Sequence, residues 1–141
     1  MDLLLIVRDA LASSLVGTLL VALHARKAGR AVAVLLTQEA LAAAARGTFA
    51  WPRELSGQEM RLAMADHAAA VGVPVSGRGE GRQLDAQSLI AQAAAAGVVL
   101  YACPIWSALL GLQHALPGMQ ALDAAALSSL VQNAKQVVGT L

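Results

Sequence analysis

Val98-Val99-Leu100-Tyr101-Ala102-Cys103-Pro104-Ile105-Trp106 reads as a buried strand that turns directly into a helix. The leading residues are apolar and mostly β-favouring, the pattern of a strand covered on both faces. Pro104 fits the first turn of a helix, where its missing N–H would have no partner and its fixed φ is already helical. Cys103 then occupies the N-cap. Its sulfur is expected near the positive end of a helix dipole, a position that favours the thiolate over the thiol.

Working outward, the same alternation of apolar run and helical pattern recurs. Leu3-Leu4-Leu5-Ile6-Val7 is a first strand, followed by a helix from Ser13 or Ser14 to about Ala28 with Leu15, Leu19, Ala22 and Leu23 at helical spacing. Ala31 to Leu36 is a second strand, and Gln38 to Arg46 is an Ala-rich helix ended by Gly47. Thr48 to Gly57 reads as a loop. Ser56 with Glu59 has the spacing of a capping box, predicting a helix from about Gly57 to Val71. Val73-Pro74-Val75 is a short third strand, placed at a sheet edge because Pro74 cannot donate to a ladder. Ser76 to Gln83 is a glycine-rich loop, and Asp85 caps a helix to about Ala96. Beyond the quoted strand, a helix is expected from Pro104 to about His114. Pro117-Gly118 is a turn, Asp123 caps a last helix to about Lys135, and Gln136 to Thr140 is a final strand. Buried strands alternating with helices define an α/β fold with a parallel sheet.

The composition narrows the function. The 141 residues suffice for one domain with a real core. Charged residues make up 13% against an average of about 25%, while hydrophobic residues reach 57%. So few charges predict an alanine-rich surface, part of it buried against other subunits. The net charge of +1 gives no electrostatic case for nucleic acid, and 3% aromatics gives no base-stacking surface. A single cysteine excludes an internal disulfide, a CxxC pair and a cysteine-rich zinc site, and suits a reducing compartment such as the cytoplasm. No signal peptide is evident at Met1-Asp2. Ala93 to Leu112 is long and apolar enough to raise a membrane span, but its change from Ala-rich to β-branched residues and its break at Pro104 read as helix end, strand and helix start.

Ligands of open parallel sheets bind beyond the carboxyl ends of the strands. Those ends supply Arg8 and Asp9, then Thr37 and Glu39, then Cys103 with Trp106 close by. If the first and fourth strands are neighbours, Arg8 and Asp9 face Cys103 across one crevice. Arg8 is the candidate fixed positive charge and Asp9 a helix cap. Thr37 suits a cap and Glu39 the first turn of a helix, while as a pair they could contact a ligand or partner. Trp106 is a packing or interface anchor. Phe49 and Trp51, beside Pro52, could form a lid or an assembly contact. His24, His67 and His114 do not converge in sequence; His114 is expected about three turns along the helix from Cys103, too far to activate it. Gly77-Arg78-Gly79-Glu80-Gly81 lacks the spacing and helix context of a dinucleotide fingerprint and reads as a loop.

Three features carry a resemblance: the short first strand, the Val34-Leu35-Leu36-Thr37-Gln38-Glu39-Ala40 segment after the first helix, and Tyr101-Ala102-Cys103 before a helix ending near Gly111-Leu112. The chain resembles the DsrE/DsrF-like family of small sulfur-relay and peroxiredoxin-like proteins. It departs from many members in having Pro104-Ile105-Trp106 after the cysteine and a longer stretch from Phe49 to Gln83. The resemblance implies a single domain over residues 1–141, a three-layer α/β/α sandwich around a five-stranded parallel sheet, and assembly into trimers or hexamers. It implies a sulfur-carrier or sulfurtransferase role with the persulfide on Cys103, sulfur donor and acceptor proteins as partners, and neither cofactor nor metal. The rival expectation is a non-catalytic oligomeric module of the same fold that binds a small molecule or protein. A thiol peroxidase ranks third, because the chain has no resolving cysteine.

Overall fold

The computed structural model describes residues 1–139. Five parallel strands form the central sheet: β1 (Leu3–Val7), β2 (Val32–Leu36), β5 (Val99–Ala102), β6 (Gln120–Ala121) and β7 (Gln136–Gly139), in the order β6-β5-β2-β1-β7. Every residue of β2 is buried, and β1 is buried at all positions except the half-buried Ile6. These two strands lie at the centre because only there are both faces and both edges covered, which matches their unbroken apolar sequences.

Alternation along the strands divides the core into two layers. Leu3, Leu5, Val7, Val32, Val34, Leu36, Leu100 and Ala102 share one face with α1 (Ala12–Lys27) and α5 (Ala86–Ala95), joined by parts of α2 (Gln38–Arg46) and α4 (Gln58–Val71). Leu15, Leu19, Ala22, Leu89 and Ala93 are fully enclosed there. Leu4, Ala33, Leu35 and Cys103 form the smaller core on the opposite face, with Leu127 and Leu130 of α7 (Ala124–Asn133) and Trp106 of α6 (Pro104–Leu109) packed against them. The result is an α/β/α sandwich with one heavily covered face and one lightly covered face.

The five-strand parallel sheet agrees with expectation, but one strand differs. Val73-Pro74-Val75 does not join it. Val73 is buried behind α4, where its N–H closes the helix end on the Ala68 carbonyl, with Gly72 left-handed between them. The following β3 (Val75–Ser76) pairs antiparallel with β4 (Gln83–Leu84) in a separate hairpin that contains a 3-10 turn at Gly79–Gly81. Gly77 is required in that hairpin: its φ is +80° and a Cβ would lie 2.4 Å from the Gly81 carbonyl oxygen. The fifth strand is instead β6, too short to show any apolar run.

Local ends differ as well. Helix α1 begins at Ala12, and α4 begins at Gln58 behind Gly57, so Ser56 is not its cap. The Ser56 hydroxyl donates to the Arg53 carbonyl and closes a short helix, α3 (Arg53–Ser56), inside the expected loop. Asp85 and Asp123 do cap their helices, accepting from the N–H groups of Ser88 and Ala126. Thr140, placed in the last strand by sequence, lies outside the described residues.

At the amino ends of the strands, Asp2 ties the first strand to the last. Its carboxylate accepts from Lys135 Nζ at 2.7 Å and from the Ala31 N–H at 2.8 Å, while the Gln136 N–H donates to its carbonyl. Asp2, Arg30, Lys135 and Gln136 also line a cleft of about 640 Å³. Asp2, Arg30, Lys135 and Gln136 hydrogen-bond one another there. The Lys135 hydrogen bond, then the Ala31 N–H, lowers the Asp2 pKa from 3.8 to about 2. A depressed carboxylate contributes stability that is present above its unfolded-state pKa and lost as the pH falls through its folded value. Asp2→Asn is therefore expected to be less stable than the parent at neutral pH in urea titrations. That difference should close as the pH is lowered from 3.8 to about 2.

Candidate functional site

The chemistry-bearing residues gather where the strands end. Val7, Leu36 and Ala102 are aligned across β1, β2 and β5. The next residues, Arg8, Thr37 and Cys103, continue that row. The Thr37 N–H donates to the Val7 carbonyl and the Cys103 N–H to the Leu36 carbonyl, each at 3.0 Å. Because β2 lies between the other two strands, the expected single crevice between Arg8 and Cys103 does not form. Their backbones are two strand spacings apart, about 10 Å, with Thr37 between them.

Cys103 is the N-cap of α6, with extended backbone and Pro104 at the first helical position, as its sequence predicts. It is only 5% exposed and packs with Leu4, Ala33, Leu35 and Trp106. Helix α6 ends at Leu109, well short of His114. The chain turns through Gly111, whose φ is +69°, and comes back. His114 therefore lines a cavity of about 270 Å³ together with Ala102, Pro104, Ser107 and Leu116, at the same end of the sheet as the cysteine. Its expected position three turns down one helix is corrected, because the glycine reverses the chain.

The remaining candidates separate by role. Asp9 is spent on structure: one carboxylate oxygen accepts from the Leu11 N–H and the other from the Ser14 hydroxyl, both at 3.0 Å, which sets the start of α1. Arg8 and Glu39 are exposed and form no ion pair among the described residues. Thr37 is buried at the N-cap position of α2, but its hydroxyl makes no capping bond. Trp106 is half-buried and touches both core layers. Among the described residues no group of three or more His, Cys, Asp or Glu side chains gathers to hold a metal.

The sequence places Gln38 with Thr37 and Glu39 after the second strand but gives no sign of its backbone conformation. Gln38 has a φ of +54°, the only left-handed backbone among the described non-glycine residues. It stands directly after Thr37 and opens α2, past the end of β2, the strand that pairs with β5. Such a conformation costs of order 1–3 kcal/mol and is retained only where surrounding contacts hold it. Beside it, the Ala40 N–H donates to the Arg8 carbonyl at 3.0 Å and ties the first turn of α2 to the end of β1. Glutamine carries no left-handed signal, so the strain at this position is not legible in the sequence.

The architecture is the DsrE-like α/β/α fold. Among solved structures, the ychN protein from E. coli matches with a TM-score of 0.61 and 17% identity, over 99% of each chain. No protein-family model and no curated protein sequence matches the chain. No helix among the described residues is long and apolar enough to cross a membrane.

The strain at Gln38 can be measured. Gln38→Val is expected to lower unfolding free energy by about 1–2 kcal/mol, because a β-branched residue tolerates positive φ worst, whereas Gln38→Gly should equal or exceed the parent. Urea midpoints of the two variants, compared at constant slope, check this ordering.

Proposed function

We propose that this protein carries sulfur as a persulfide on Cys103, within a reducing compartment such as the cytoplasm. The observation that supports this most is the position of its sole thiol, at the carboxyl end of a parallel strand in a DsrE-like fold, next to a strained turn at Thr37-Gln38. In the transfer, the Cys103 thiolate attacks the outer sulfur of a donor persulfide. A new S–S bond forms on Cys103, the donor's S–S bond breaks, and the donor leaves as a thiolate. An acceptor nucleophile then takes the outer sulfur and releases the Cys103 thiolate, so no net oxidant is needed. The sulfur is enclosed by apolar side chains, so both partners reach it only when the α6 end of the sheet opens.

A second reading has its own observation. The cavity beside Cys103 is lined by Ala102, Pro104, Ser107, His114 and Leu116, an apolar surface with a few polar groups. That fits a non-catalytic module binding a small molecule, in which Cys103 is a core residue. Intact mass spectrometry after treatment with glutathione persulfide separates the two. A gain of one sulfur atom on the native chain, absent from Cys103→Ser, is the expected result. A thiol that gains sulfur only after denaturation transfers the function to the binding module.

We also propose that the chain assembles with copies of itself, as a trimer or hexamer. No Asp, Glu, Lys or Arg occurs between Asp85 and Asp123. Within that uncharged span Ile105 is 57% exposed and Leu109 69%, and Leu110 is also exposed. An apolar patch without charge is suited to a second copy, since nothing ionic has to be desolvated on either side. Multi-angle light scattering is expected to show an oligomer for the parent and a smaller species for Leu109→Lys. A monodisperse monomer for the parent would refute the assembly and leave the persulfide reading standing.

A further inference from the structure

A second cavity lies away from Cys103, in the segment from Trp51 to Leu84 that the sulfur reading does not use. It is a half-open cleft of about 340 Å³ between α3, α4 and the β3–β4 hairpin, lined by Trp51, Leu55, Arg61, Met64, Gln83 and Leu84, with Ser56 at its rim. Its volume falls within the roughly 300–1,000 Å³ range of small-molecule sites. Arg61 and Met64 stand three residues apart on α4 and so share one face of that helix. Trp51 also walls a smaller cavity of about 180 Å³ on its other side, against Phe49 and Ala12.

The polar groups of the cleft include one cation, Arg61, and no acid. Arg61 is half-buried and has no carboxylate partner among the described residues. By contrast, Arg82 of the adjoining hairpin is paired with Asp66 at 2.6 Å. The Trp51 indole N–H, the Gln83 amide and the Arg61 guanidinium make no side-chain hydrogen bond among the described residues, whereas the Ser56 hydroxyl is occupied by the Arg53 carbonyl. The walls facing these donors are Leu55, Met64 and Leu84, and no Asp or Glu lines the cleft. A partly desolvated guanidinium without an anion is unfavourable and is relieved by a carboxylate, which accepts from its fork of donors. The apolar walls require that the same ligand bring an apolar body.

We propose that this cleft binds a small carboxylate with an apolar body, its carboxylate on Arg61 and its body between Trp51 and the Leu55, Met64 and Leu84 side chains. This site is separate from Cys103 and stands whether or not the thiol carries sulfur. Helix α4 sends one buried residue, Ala68, into the central core, and its other turns pack on α3 and β4 around the cleft.

The two tryptophans, Trp51 and Trp106, give two indole N–H signals in a nitrogen-15 spectrum of the full chain, assigned with Trp51→Phe. Octanoate is the probe, and octanol is its uncharged counterpart. The expected result is a saturable shift of the Trp51 signal with octanoate, an unmoved Trp106 signal, and octanol binding at least about tenfold more weakly, as loss of a charge-assisted hydrogen bond implies. Arg61→Gln should raise the octanoate dissociation constant by about tenfold, while Met64→Glu, which sets a carboxylate beside Arg61, should abolish binding in a chain with unchanged circular dichroism. No saturable shift, equal binding of octanol, or parallel movement of both indole signals would each overturn the proposal.

Discussion

The structure depends on covering β1 and β2 on both faces. Their ten positions are apolar and all but one are buried, so burial is greatest with both strands inside the sheet and both faces covered. Each enclosed leucine is worth about 1.5–3 kcal/mol relative to its exposed state, and Leu4, Leu5 and Leu36 are fully enclosed. The remaining strands therefore extend outward, β5 and β6 to one side and β7 to the other, and grow more exposed with distance from the centre. The last strand must return across the molecule to reach β1. The Asp2–Lys135 pair and the backbone bonds beside it hold that return in register at the amino ends.

Parallel strands place all their carboxyl ends on one rim, and this concentrates Arg8, Thr37, Gln38 and Cys103 there. The rim is built with tension. Backbone bonds carry the β-ladder one residue past β2 and β5, and the turn into α2 is then so tight that a glutamine adopts positive φ. Helix α6 is short because Gly111 reverses the chain soon after it, which returns His114 to the rim. The thiol is enclosed within one chain, at the start of a short helix that exposes Ile105 and Leu109. Sulfur transfer and self-association, as proposed here, would consequently be linked through the same element.

The segment from Trp51 to Leu84 follows different rules. It contributes little to the central core: Ala68 and Val73 are its buried residues. The small hairpin, α3 and α4 instead pack on one another around Trp51, leaving space between them. The two clefts differ in their polar groups: Asp2, Arg30, Lys135 and Gln136 pair with one another at the amino ends, whereas Arg61 has no carboxylate partner among the described residues.

The sequence by itself determined the elements whose physics is local. Unbroken apolar runs marked β1, β2 and β5, Asp85 and Asp123 marked two helix starts, and Pro104 marked Cys103 as an N-cap; each rests on side-chain burial or backbone chemistry within a few residues. The five-strand parallel sheet followed from their alternation. Only the tertiary structure decided which short segment completed it. Val73-Pro74-Val75 has the more strand-like composition, yet Gln120–Ala121 occupies the edge, because edge pairing depends on where the preceding turn delivers the chain. Strand order likewise separated Arg8 from Cys103, committed Asp9 to the start of α1, and brought His114 back beside Ala102. The strain at Gln38 and the unpaired Arg61 were invisible in sequence for the same reason. Both are defined by what neighbouring segments withhold or impose, and that is fixed only when distant parts of the chain pack together.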